Sequence, residues 1–480
     1  MLRPLFVLIA ASLLLSCSRY PGDAITVSVI GGEARAANPN TVPLDMPAAV
    51  MTGAMMQGLV QFDAKGEIEP ALAERWMVTD DGLSYIFRIR RTNWPDGTRV
   101  TAAHVAQSLR KSLAPASRNP MKPMLRQVSQ ILAMTDTVVE VRLSEPLPGL
   151  LQLLADPHMA ILRNGRGTGP YWLYRSFPSA KILRPVPSLT NEEISEDALR
   201  QSERRVRGEN AALAIARYAE RNADLVLGGD FTNFPIVQAA GLDARDIRVD
   251  PVPGLFGIIP ARAEGPSQNR NLRQAMAMAL DRAALIQRLG ARGWTPAETL
   301  MPGPINMFIQ AIPDWAALTP AERRARARSL VAQTMGDRIR IRLAMPEGPG
   351  ARLIFAQMAS DWRAIGIDAE RVGPGETADF RLIDMVAPTP NALWYLQPFA
   401  CASKPACSAA TSNALSIARR AAREERARLF AEADQAIADE QLYIPIARPL
   451  RWSLVNARLN GFAANATGQH PLNRLSGVSN

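Results

Sequence analysis

Apolar and polar positions alternate along several short stretches of the chain. In "DGLSYIFRIRRTNW", Tyr85, Phe87 and Ile89 fall on one side, and Ser84, Ile86, Arg88 and Arg90 on the other. A period of two predicts a half-buried strand. "AITVSVI" (Ala24 to Ile30) is β-branched and also reads as a strand. "RIRIRLA" alternates strictly, and the helical pattern "GARLIFAQMASDWRAIG" follows it before "IDAERV" and "DFRLIDMV". Parallel strands joined by a helix predict a covered sheet in an α/β lobe.

The 3.6-residue period appears elsewhere. Val105, Leu109 and Leu113 share a face after Thr101, whose hydroxyl suits an N-cap. "NLRQAMAMALDRAALIQRLG" (271–290) predicts one amphipathic helix, with Leu272, Met276, Ala279, Ile286 and Leu289 in register and Gly290 as its C′ residue. "AAREERARLFAEADQAIADE" predicts a long helix. After it, "LYIPIARPLRWSLV" predicts two strands about a proline break.

"NWPDGTRVTAAHVAQSLRKSL" (93–113) contains residues that could do chemistry. Pro95-Asp96-Gly97 is turn chemistry. His104 falls at N3 of the predicted helix, where a cation would oppose the dipole, so a neutral ring is expected. Ser108-x-x-Lys111 matches the start of a serine acylase motif, but no Lys-Thr-Gly follows anywhere. The stretch reads as a structural corner.

The first residues change the picture most. Leu5 to Leu15 is an apolar run behind Arg3, too short to span a bilayer, and it has the shape of a secretory signal. It closes on Leu14-Leu15-Ser16-Cys17, which resembles a bacterial lipobox. Residues 1–16 are then a leader, and Cys17 carries the lipid that tethers the chain to a membrane. An ordinary signal cleaved elsewhere is the alternative.

The net charge is +10, and 50 of the 55 basic residues are Arg, scattered along the chain. Aromatic residues, 6% of the total, are not interleaved with them, which argues against a nucleic-acid partner. In an exported chain, Cys401 and Cys407 can pair as a disulfide or stay free thiols. Cys-x5-Cys without a nearby His is a poor zinc site, and no metal is expected. No P-loop, Gly-x-Ser-x-Gly or His-Glu-x-x-His occurs, so no enzyme, cofactor or catalytic residue is expected.

Five blocks, in order, resemble the extracytoplasmic solute-binding proteins of family 5, the peptide/dipeptide/nickel-type receptors of ABC importers. They are "MQGLVQFDAKGEIEPALAERWMVTDDGLSYIFRIRRTNWPDGTRVTAAHVAQSL", "GTGPYWL", "NLRQAMAMALDRAALI", "MASDWRAIGIDAERV" and "AEADQAIADEQLYIPIARP". The resemblance implies an α/β, two-lobed periplasmic-binding-protein-like fold (type II, cluster C) with a small α/β domain inserted. Lobe I would hold 17–50, 159–257 and 444–480; the insert 51–158; lobe II 258–443. It implies a lipoprotein of the periplasm or cell envelope that captures a peptide or peptide-sized solute between its lobes. A permease in the inner membrane would be its partner. A degenerate scaffold or chaperone with the same fold, and a secreted hydrolase, are the alternatives.

By the same resemblance, Glu33 would face the cleft, with a solvated loop Glu as the other reading. Peptide binders carry an Asp that pairs with the peptide α-amine after the "DF" strand. Here "APTP" stands in its place, and Asp384 lies just before it. Trp394 and Tyr395 are candidates for the cleft wall, and Met121 lies where peptide binders often have Tyr.

Overall fold

The computed structural model describes residues 24–186, 195–303, 305, 309–334, 339–401, 405–419 and 421–477. The predicted leader and Cys17 lie outside the described residues. Among those described, no helix is long and apolar enough to cross a membrane.

Two mixed sheets carry the body of the chain. The first has seven strands in the order 247–250, 451–455, 225–230, 25–30, 204–209, 180–185, 171–177. Its centre is parallel, with Val27 opposite Val206 and Leu225. Helices cover both faces, so neighbouring residues point into different cores. Leu225 and Leu227 join Met51 and Ala54 of the helix Met46–Met55. Val226 joins Ala214 and Ile215 of the helix Ala211–Ala219. This two-sided burial explains why "AITVSVI" is apolar throughout.

The second sheet has five strands in the order 367–372, 339–344, 380–386, 254–260, 444–447. Strands Ile339–Ala344 and Ile367–Val372 run parallel, with the helix Pro349–Arg363 between them. Ile339, Ile341 and Leu343 are buried, and Arg340 stays exposed, as the alternation predicts.

Among the described residues, the chain passes between these two sheets twice. It leaves the first at Asp250 and enters the second at Gly254. It leaves the second at Ala447 and returns at Arg451, across Pro449. The strand Gly254–Pro260 therefore spans the expected 257/258 boundary while lying wholly in the five-stranded sheet. Ile444–Ala447, expected in lobe I, pairs with it there.

A four-stranded antiparallel sheet, in the order 73–78, 84–89, 138–143, 128–135, is packed by the helix Ala102–Leu113. It has its own core, running from Leu59 to Ile161 and including Tyr85, Phe87, Ile89, Val105 and Leu109. Thr101 caps the helix by accepting from the His104 N–H. The Nδ1 of His104 accepts in turn from the Thr101 N–H at 3.4 Å and from Trp94 Nε1 at 3.2 Å. The imidazole acts where a capping box would use Glu. Ser108 Oγ accepts from the Leu162 N–H at 2.8 Å, so the Ser-x-x-Lys element is structural.

One expectation needs correction. The helix predicted over 271–290 is two helices, Arg270–Ala279 and Arg282–Leu289. Leu280 leaves the helical region, and Asp281 caps the second helix by accepting from the Ala284 N–H at 2.9 Å. The buried guanidinium of Arg282 donates to the carbonyls of Ala277, Leu280, Ala297 and Pro445. Both helices lean on the same core, so the apolar period runs across the break unmarked. Gly290 closes the second helix in the left-handed region, at φ 68°.

Candidate functional site: a cavity where the two sheets and the small unit meet

A cavity of about 710 Å³ opens between the three units. The helix Met46–Met55 supplies Met46 and Val50 to its wall. Asp45 starts that helix by accepting from the Ala48 N–H at 2.9 Å. The small unit adds Phe62, Met121, Asp156 and His158. The first sheet adds Gly228, Gly229, Asp250, Arg451 and Trp452, and the second adds Asp384 and Met385. The segment 467–473, with His470, closes one side.

The first-sheet floor depends on two glycines. Gly228 has φ +83°, which a side chain would resist. A Cβ on Gly229 would lie 2.2 Å from the Trp452 ring. The bare backbone lets the indole lie flat there, and Trp452 Nε1 donates to the Asp230 carbonyl at 2.8 Å.

Each carboxylate in the lining already has partners. Asp384 is held by Arg451, whose Nη1 lies 3.0 Å from both of its oxygens. Burial pushes the Asp384 carboxyl upward in pKa, and Arg451 pulls it down. Asp250 meets His470 Nε2 at 3.1 Å and accepts from the Asn465 N–H at 2.9 Å. The His470 ring stacks on Phe462. Asp156 meets His158 Nδ1 at 2.7 Å and accepts from Gln469 Nε2 at 3.0 Å. Two of the three histidines of the chain thus line one cavity. Among the described residues, no group of three or more His, Cys, Asp or Glu could hold a metal.

Of the residues singled out from sequence, Met121 and Asp384 line this cavity. The others do not. Glu33 is exposed and bonded to Lys181 Nζ at 2.8 Å. That hydrogen bond and charge hold its carboxyl below the ordinary range. Trp394 is half-buried and edge-on to Tyr395. Tyr395 is fully buried in the hydrophobic cluster with Leu255, Phe399 and Tyr443. Among the described residues its hydroxyl has no hydrogen-bond partner, and burial pushes it up to about 12. Cys401 and Cys407 form a disulfide, with Cα atoms 4.9 Å apart.

Sequence reasoning missed Arg451, Trp452, Asp250, His158 and His470. A usable signal existed for the first two. They follow directly on the Pro449 break, where the chain returns to the first sheet.

A family model described as bacterial extracellular solute-binding proteins, family 5 Middle, matches residues 67–382. The chain is similar to the probable deoxycholate-binding periplasmic protein YgiS of Escherichia coli K12. The two are 26% identical over 328 residues, 59% of this chain and 58% of YgiS. It is similar to the glutathione-binding protein GsiB of the same strain, 23% identical over 337 residues, 64% of this chain and 61% of GsiB. The chain thus aligns with about three fifths of the length of these curated relatives. The structure resembles Haemophilus influenzae OppA in complex with RPPGFSPFR, with a TM-score of 0.79 at 18% identity, over 95% of this chain and 99% of OppA. That likeness shows the fold alone: two α/β lobes of the periplasmic-binding-protein-like type.

Proposed function

This chain belongs to family 5 of the bacterial extracellular solute-binding proteins, and on that premise we propose that it is a receptor that captures a peptide or peptide-sized solute between its two lobes and delivers it to an ABC importer. The observation that carries this reading is the cavity itself. It lies at the junction of two sheets that, among the described residues, are joined by two chain crossings. It borders the carboxyl end of the parallel strand Leu225–Asp230, where open α/β sheets commonly bind ligands. Its volume suits a small solute. Closing two such lobes on a solute changes their shape without changing the solute, and the closed form is what a permease would recognise.

The relatives named for deoxycholate, for glutathione and for a bound nonapeptide span acids and peptides. Capture requires no covalent step. The lining offers two Asp–His pairs, yet among its described contacts no Ser or Cys is hydrogen-bonded to either imidazole. We read the protein as a binder and not an enzyme.

The membrane tether belongs to the same proposal. A lipid on Cys17 would hold the receptor at the envelope face of the inner membrane, beside its permease. Feeding cells radioactive fatty acid should label the chain, and Cys17→Ala should abolish the label. Labelling that persists in the variant sinks the tether.

For capture, the expected result is a stoichiometric small molecule carried through purification and released on denaturation, identified by mass spectrometry. Adding that molecule back should raise the melting midpoint by linkage. An empty protein whose midpoint no compound of a broad peptide and metabolite library moves would favour a scaffold of the same fold.

A further inference from the structure

The lining of the cavity combines an apolar wall, neutral polar side chains such as Gln57, Gln61 and Thr467, and, among the described residues, one arginine with spare donors. Met46, Val50, Phe62, Met121, Met385 and Trp452 form the wall. Asp156, Asp250 and Asp384 are the acidic side chains of the lining, and each is engaged by His158, His470 or Arg451. A solute ammonium would find no carboxylate free to anchor it. To reach one, it would have to share Asp384 with Arg451, or compete with the hydrogen bonds that Asp250 and Asp156 already accept from the Asn465 N–H and Gln469 Nε2.

Arg451 is the opposite case. Its Nη1 donates to Asp384 and to the Leu450 carbonyl at 2.9 Å. Its Nε and Nη2 have no protein partner among the described residues, and the side chain borders the cavity with 24% of its surface exposed. Nε–H and Nη2–H point in parallel from one edge of the guanidinium. That edge is the fork that takes both oxygens of a carboxylate. The Asp384 contact at Nη1 fixes the guanidinium plane and leaves the fork unused.

From the presence in one lining of Arg451, with its Nε and Nη2 unused by the described residues, and of the Met- and Trp-bearing wall, we infer that the solute is an amphipathic carboxylic acid, its apolar body against the wall and its carboxylate on Arg451, and not an amine-anchored peptide. This rests on the receptor reading above and narrows it. The exposed, flexible Met385 and the neighbouring methionines can repack around bodies of different shape. Recognition is then tight at the acid and tolerant along the tail.

The full chain, stripped of bound ligand by partial unfolding and refolding, is titrated by calorimetry and by tryptophan emission with five probes. These are dodecanoate, deoxycholate, dodecylammonium, tri-alanine and N-acetyl-tri-alanine, each below its micelle concentration where it has one. The expected result is saturable binding of one or both acids, at least tenfold tighter than dodecylammonium or tri-alanine. Arg451→Gln should weaken the acids at least tenfold. Because that variant strands Asp384, the double variant Asp384→Asn/Arg451→Gln is measured beside it and should show the same loss. Asp384→Asn alone should tighten acid binding severalfold, since it removes the competing anion.

Tri-alanine or dodecylammonium binding as tightly as the acids would overturn the inference and leave the receptor reading standing. So would acid affinity unchanged in the double variant. Acids that fail to bind also overturn it. Failure of every probe together with the wider library removes the receptor reading as well.

Discussion

Arg451 lies in the seven-stranded sheet and Asp384 in the five-stranded sheet, and the Nη1 of one is 3.0 Å from both carboxylate oxygens of the other. The pair therefore ties the two lobes together beside their crossings. Both side chains are mostly shielded, with 24% and 17% of their surfaces exposed. Phe231 and Phe256 meet edge-on nearby, and the Gly350 N–H donates to the Thr232 carbonyl, so the lobes also touch through core and backbone. Asp384→Asn leaves Arg451 without its counter-charge. The expected loss is about 2–3 kcal/mol, below the range for a fully buried pair because some solvent reaches this one. Urea unfolding measures it. A loss under about 0.5 kcal/mol, the scale of an exposed pair, would mean that the ion pair is loose in solution.

Trp394→Ala should lower stability and leave solute affinity unchanged. The ring packs on Tyr395 within a hydrophobic cluster and does not border the cavity. A half-buried indole suggests about 2 kcal/mol. Tyr395→Phe should be neutral or slightly stabilising, because it deletes a buried hydroxyl that has no partner among the described residues. Weakened solute binding in either variant would put these rings back in the cleft.

Asp434 gives a pH signature. It is 1% exposed and accepts from the Ala311 N–H at 2.7 Å, and burial pushes its carboxyl from 3.8 up to about 6. A folded-state pKa above the unfolded one means the native state binds the extra proton. The stabilising effect of that proton is complete below the unfolded value and is lost as pH rises through the folded one. The window is therefore about pH 4 to 6. Asp434→Asn should match wild type at pH 4 and become relatively more stable above pH 6. At about 1.4 kcal/mol per unit, the limit is about 3 kcal/mol, reduced by the cost of burying a new amide N–H₂. Melting midpoints of the two proteins across that window are the measurement; parallel curves would show that Asp434 is not buried as a carboxylate.

The Cys401–Cys407 disulfide closes a short loop of sequence separation 6. The chain-entropy model gives about 2 kcal/mol for so small a ring. Replacing both residues by Ser should cost about that much and should remove the mass change seen when the native protein is reduced and alkylated under denaturing conditions. An unreduced protein that alkylates at both positions would show the thiols to be free.

The sequence by itself determined the elements and most of their faces. Tyr85, Phe87 and Ile89 point inward because alternation along a strand is a property of the backbone. Thr101 caps its helix, and Gly290 ends one, because caps are chosen by residues three or four apart. The five family blocks named the two-lobed fold for the same reason: each is a local packing unit that can be read within itself. Local pattern could not show the break at Leu280, because the two helices share a core and the period continues through it.

Tertiary structure alone decided the site. Its wall comes from the helix 46–55, from Met121, from 156–158, from 227–229, from 384–386, from 451–453 and from 467–473, segments far apart in the chain. Aromatic content near "APTP" suggested Trp394 and Tyr395, but a ring on a short helix can face either the core or the cleft, and only the packing of the helix 392–396 against the long helix 423–439 turned them inward. Asp384 became an inter-lobe partner and Arg451 a spare donor only when two chain crossings brought separate sheets edge to edge. Hydrophobic period reports which face of an element is buried; which faces meet across a gap is set by the three-dimensional path of the chain.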